Sequence, residues 1–238
     1  MGKEKFEGLK RILYVCLPLL VFVILYDVWT AILQYVGSLF IGMLGSTGER
    51  WLGSHLGTFQ AICIMGGLAL TFLCLLKLAL QDGFLRPKKE VFKVPVWQYV
   101  VLILGTIVLT YGFNYLFTVT GFTGQSESYQ KVAQNQYNVV LGVGLILYGV
   151  VSPFVEEVVF RGFLYGRMRV YMPKVVAVLL SALLFGIYHG NIVQGIYGFC
   201  MGIVFTLVYE KYKNFYLAVI MHAITNLVAY FIQLNGFM

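Results

Sequence analysis

VVLGVGLILYGVVSPFVEEVVFRGF, residues 139–163, is the stretch on which the reading of this chain turns. Most of it is apolar, and it is long enough to cross a bilayer as a helix rising about 1.5 Å per residue. Inside a bilayer the backbone must satisfy its own hydrogen bonds, so a helix is the default. Yet the run carries Glu156, Glu157 and Arg161. An ionisable group at such depth costs about 2.5–3.5 kcal/mol on insertion scales, so it normally faces the bundle interior and has a task there.

The rest of the chain has the same character. Of 238 residues, 60% are hydrophobic and 11% charged, with a mean hydropathy of +0.83. Soluble domains sit nearer 45–50% apolar and about 25% charged. A soluble enzyme, a disordered chain and a secreted disulfide scaffold are all excluded. Cys16, Cys63, Cys74 and Cys200 lie in apolar runs with no CxxC pair, which reads as membrane-buried thiols rather than a metal or redox site. Apolar runs of spanning character occupy residues 12–35, 56–80, 96–118, 139–163, 174–189 (short), 192–209 and 215–233. The expected fold is an all-α polytopic transmembrane bundle of about seven spans. Residues 1–138 form an N-terminal half of about three spans, and residues 139–238 a C-terminal half of about four.

The formal charge of +7 is distributed by loop. Lys3, Lys5, Lys10 and Arg11 precede the first span, and Arg86, Lys88, Lys89 and Lys93 follow the second. Arg167, Arg169 and Lys174 follow the fourth, and Lys211 and Lys213 the sixth. The alternate loops hold only Arg50 and Lys131. The positive-inside rule then puts the N-terminus in the cytoplasm and the C-terminus outside. The basic excess is spent on orientation, so nucleic acid is not an expected partner; membrane lipid is. The basic start followed by an apolar run resembles a signal peptide but lacks a small-residue cleavage site, and an uncleaved anchor is expected. The polar stretch 121–137 reads as a mobile outer segment or partner-contact loop. Gly162 with Gly166, Gly186 with Gly190, and Gly198 with Gly202 are spaced for close helix approach.

The ionisable and polar residues within spans form a set. Glu157 and Arg161 are four residues apart and can pair, lowering the cost of burying both. Glu156 points about 100° away from Glu157 on an α-helix; its partner must come from another helix, or it must hold a proton. Span five ends in Phe185-Gly186-Ile187-Tyr188-His189. Span seven carries His222 and Asn226 on one helical face. Glu and His can activate water, and His and Asn can donate to an oxyanion. Glu156, His189 and His222 could alternatively hold zinc or another divalent ion with one position open, although the HExxH spacing is absent. The side chains of Glu156, His189, His222 and Asn226 are expected to converge on one water-accessible cavity opening toward the cytoplasmic side. His55 is read as a loop residue. Asp27, Asn114 and Glu210 are read as structural.

EExxxR (Glu156, Glu157, Arg161), FxxxH (Phe185, His189) and HxxxN (His222, Asn226), each on its own span and in this order, resemble the motifs of the CAAX protease and bacteriocin-processing family, also called the Abi or CPBP family of intramembrane proteases. The resemblance covers about residues 139–230. It implies an intramembrane endopeptidase in which Glu156 activates water with His189. His222 and Asn226 would stabilise the oxyanion, and Glu157, Arg161 and Phe185 would support the site. Members are named as metalloproteases in some readings and as metal-free glutamate enzymes in others, so zinc stays open. They are also described with eight spans, which makes eight the alternative count here.

The function this implies is hydrolysis of a peptide bond in a hydrophobic or membrane-associated peptide or protein, by a multi-pass protein of a bacterial cytoplasmic membrane. Two alternatives remain: a non-enzymatic immunity or signalling protein of the same fold, and a small proton-coupled transporter. The absence of an inverted repeat and the confinement of the charges to one half weigh against the transporter.

Overall fold

A computed structural model describes residues 2–86 and 94–235, with side chains described for 7–86, 94–134 and 138–235. The described chain is all helical: α1 (Gly2–Gly42), α2 (Ser46–Asp82), α3 (Val96–Val119), α4 (Glu127–Tyr137), α5 (Leu141–Tyr171), α6 (Lys174–Tyr188), α7 (Ile192–Tyr212) and α8 (Phe215–Leu234). Six of these, α1, α2, α3, α5, α7 and α8, are long and apolar enough to cross a membrane. The expected fifth span is α6, whose 15 residues reach about 22 Å at a rise of about 1.5 Å each. The chain is thus a multi-pass membrane protein. Its many exposed Leu, Ile and Val side chains have the bilayer as their solvent.

The central element is α5. Half of its most apolar window is buried, against 11% for α3. Helices α1 and α2 pair with each other and pack on α5, which also meets α6 and α8, while α3 lies along α8. Helix α5 departs from α geometry twice, as π-helix at Leu147–Val151 and again at Val158–Tyr165. Between them lies the α-helical Ser152–Glu157. Pro153 lacks an N–H and crowds the preceding turn, and the first π segment accommodates it without breaking the helix.

The glycine spacing pays out mainly between α6 and α7. A Cβ on Gly186 would meet the Gly195 carbonyl oxygen at 2.5 Å, and one on Gly202 would meet Phe185 and Ala182 at 3.2 and 3.3 Å. Gly162 instead receives the ring of Phe84. Gly190, at φ 71°, turns the chain rather than packing it. Two expectations change. The stretch 121–137 contains helix α4, capped by Ser126 accepting from the Tyr129 N–H at 3.3 Å, with Tyr129 and Ala133 buried. His55 lies within α2, at a kink (φ −125°, ψ 22°), stacked on Trp51. Lys88, Lys89 and Lys93, and the side chains of Lys3 and Lys5, lie outside the described residues.

Polar residues segregate to two ends. At one, Arg167 pairs with Asp82 at 2.8 Å and donates to the Tyr14 carbonyl. Arg86 and Lys213 lie around the same hollow. Glu210 meets Lys213 at 2.5 Å, Arg169 at 3.6 Å and the Tyr165 hydroxyl at 2.8 Å. The other end contains the turn 189–191, helix α4 and the C-terminal ends of α3 and α8.

Candidate active site

Arg161 and Glu157 anchor the site. Both side chains are fully buried, and Nη1 of Arg161 lies 2.8 Å from Oε1 of Glu157. The guanidinium also donates through Nη2 to the Gly202 carbonyl at 3.3 Å. It stacks 4.4 Å from the Phe185 ring centre and 5.4 Å from that of Phe205. A buried pair is tolerable when hydrogen bonds and ring faces replace the lost water.

Glu157 holds a second group. His222, on α8, sets Nδ1 2.9 Å from Oε1 of Glu157. An acceptor on Nδ1–H leaves the other nitrogen to face elsewhere. Nε2 stands 3.6 Å from Oε2 of Glu156. The residue of another helix that faces Glu156 is therefore His222. The ring is clamped between Phe205, stacked at 5.2 Å, and Phe185, edge-on at 5.4 Å. On its own helix Glu156 accepts from Ser152 Oγ, four residues upstream.

Glu156, His189 and Asn226 line one cavity of about 240 Å³. His189 follows the last turn of α6, and Nδ1 lies 2.8 Å from the Phe185 carbonyl oxygen, so FxxxH links backbone and ring directly. Asn191 then caps α7, its side chain accepting from the Gln194 N–H at 2.9 Å. His189, just past the end of α6, shares a cavity wall with Glu156. His222 is 3% exposed and lies behind the cavity wall, against both carboxylates.

Sequence reasoning missed several residues. Ser152 was legible, because an i, i+4 spacing to Glu156 places both on one face. Asn114, read as structural, lines the cavity, as do Gln194 and Gln233. Gln233 donates to the Tyr129 hydroxyl at 3.0 Å, tying α8 to α4. Burial pushes the Tyr129 phenol above its ordinary range, and the Gln233 bond partly offsets this. Tyr26 and Tyr188 lie within electrostatic reach of both Glu156 and Asp27. Phe205 carried no signal beyond hydrophobicity.

The described donors are not gathered as a metal site would require. Among the described residues no three His, Cys, Asp or Glu side chains are grouped to share one ion. Nδ1 of His222 is held by Glu157 and Nδ1 of His189 by the Phe185 carbonyl. The expected Glu156, His189 and His222 set is therefore not assembled as a ligand triad, and no step below runs through a metal.

A family profile described as type II CAAX prenyl endopeptidase Rce1-like matches residues 138–228. A Bacillus subtilis (strain 168) protein named "Putative membrane peptidase YdiL" is 26% identical over 117 residues, covering 49% of this chain and 47% of the relative. The match thus spans about half the length of that curated relative. No solved structure matches. Residues 138–228, which carry all three motifs, are thus similar to the Rce1-like type II CAAX prenyl endopeptidase family.

Proposed function

We propose that the protein is an intramembrane endopeptidase that hydrolyses a peptide bond in a hydrophobic or membrane-associated polypeptide. Residues 139–238 act as its catalytic core, and α1–α3 support it. The observation that carries this reading is the junction of Glu156 with His222 at 3.6 Å, at the wall of a cavity shared with His189 and Asn226.

In the proposed reaction Glu156 takes a proton from a water whose oxygen attacks the substrate carbonyl carbon. His189 helps orient that water: its Nδ1–H is held by the Phe185 carbonyl, which leaves Nε2 to accept. The Asn226 side-chain N–H stabilises the developing oxyanion, the most valuable place for a preorganised donor. The carbon–nitrogen bond then breaks, and Glu156 passes its proton to the leaving nitrogen. His222 was expected beside Asn226 as an oxyanion donor. Its contacts favour a positioning role on Glu156, with Glu157 and Arg161 fixing the ring.

The test is cleavage of a membrane peptide by purified protein in detergent. Glu156→Gln and His189→Ala should each lose about 10²–10⁴-fold in rate, the usual share of general acid–base catalysis, while remaining monodisperse and helical. Undiminished cleavage by either variant would refute the assignment.

A further inference from the structure

The cavity lies at the end of the bundle opposite most of the basic residues, with only Arg50 and Lys131 on the helices at its own end. From Glu156 its wall runs past Asn226 and Gln194 to Thr123, Tyr129 and Gln233. These belong to the loop after α3, to α4, and to the outer parts of α7 and α8. Arg86, Arg167 and Lys213 gather at the other end, and Arg169, Lys174 and Lys211 belong to the helix ends there. The expectation of a cavity opening toward the cytoplasmic side is therefore reversed with respect to the basic loops.

The chemistry of the wall is a second observation. Among the described residues its polar groups are amides, hydroxyls and imidazole, Glu156 is its one charged residue, and neither Lys nor Arg lines it. Arg161 is fully buried and committed to Glu157. A free substrate carboxylate drawn close to Glu156 would lose its hydration, meet a like charge and find no cation to replace the water. Peptide amides would meet matching donors and acceptors instead.

We propose that the site is served from the non-cytoplasmic side, and that it takes an internal segment of a polypeptide that has already crossed or entered the membrane. A free carboxyl terminus presented in the cytoplasm is not its substrate. The side follows from the positive-inside rule, under which the basic end faces the cytoplasm. The substrate half rests on the peptidase reading above; the side does not.

The test separates the two. In a variant with Cys16, Cys63, Cys74 and Cys200 replaced by alanine, single cysteines are introduced by Thr123→Cys at the cavity wall, Ser128→Cys on the exposed face of α4 and Lys211→Cys at the basic end. Intact bacterial cells receive a membrane-impermeant maleimide. Thr123→Cys and Ser128→Cys should label without permeabilisation, and Lys211→Cys only after it. The opposite pattern overturns the proposed side, and Ser128→Cys reports even if the change at Thr123 disturbs the fold. Wild-type protein in right-side-out vesicles then receives a quenched fluorescent peptide from outside, either extended and amidated beyond the scissile bond or ending in a free carboxylate close to it. The amidated peptide should be cleaved in a Glu156-dependent way and preferred at least tenfold. Cleavage in detergent but not from outside the vesicles overturns the side. Preference for the free carboxylate overturns the substrate class. No cleavage of either peptide in detergent overturns the peptidase reading and leaves the labelling result to decide the side.

Discussion

Nε2 of His222 stands 3.6 Å from Oε2 of Glu156 across the gap between α8 and α5. The ring is held from behind by Glu157, whose other partner is Arg161. The adjacent carboxylates therefore have separate tasks: one reaches the cavity, and the other carries the support.

Removing one member of the support should cost stability as well as activity. Arg161→Ala leaves Glu157 buried without its cation, and breaking a buried pair from one side typically costs about 3–5 kcal/mol. The thermal unfolding midpoint in detergent should fall sharply. The double change Glu157→Leu with Arg161→Met should recover part of that stability but no activity, because His222 would lose its anchor.

The two histidines should behave differently. His222 is buried among Phe185, Phe205 and two carboxylates, whereas His189 is a half-buried cavity residue held through Nδ1. His222→Ala is expected to lower both the unfolding midpoint and the cleavage rate. His189→Ala should lower the rate with a much smaller change in midpoint. Equal destabilisation by both would contradict the layered arrangement.

Ser152 holds one oxygen of Glu156. Ser152→Ala removes a bond to a charged acceptor, typically worth about 1.5–3 kcal/mol. Expressed mainly as misorientation of the carboxylate, the loss should reduce kcat about tenfold or more with little change in KM. Ser152→Thr keeps the hydroxyl and should restore most of the rate.

Close contact of α6 with α7 positions His189. Gly186→Val would drive a side chain into the Gly195 carbonyl, and overpacking of this kind costs about 1–3 kcal/mol. Cleavage should fall more than stability does, because the end of α6 carries His189. An equivalent change at Gly105, which has open space around it, should be tolerated in the same assays.

Chelation provides a separate check on the donor set. Because the described His and carboxylate groups are not arranged as a shared triad, treatment with 1,10-phenanthroline or EDTA should leave the cleavage rate unchanged. Loss on chelation with recovery on added zinc would require a different arrangement in the working enzyme.

Much of this was written in the sequence because a bilayer is an unforgiving solvent. Apolar runs longer than about 20 residues identify spanning helices, and α1, α2, α3, α5, α7 and α8 follow them. Charged and imidazole groups inside those runs are costly enough to stand out, so Glu156, Glu157, Arg161, His189 and His222 were visible before any contact was known. The pairing of Glu157 with Arg161 was also local, set by one helical turn. Relations between helices were decided only by tertiary structure. Periodicity along α8 cannot tell which carboxylate His222 meets, and nothing in 121–137 announces that Tyr129 will tie α4 to Gln233. Least legible was the direction of the cavity. It depends on which ends of α3, α5, α7 and α8 come together around it, a property of packing among segments far apart in the chain. Composition determined the solvent and the cost of each exception to it; packing determined which exceptions meet and from which side they are reached.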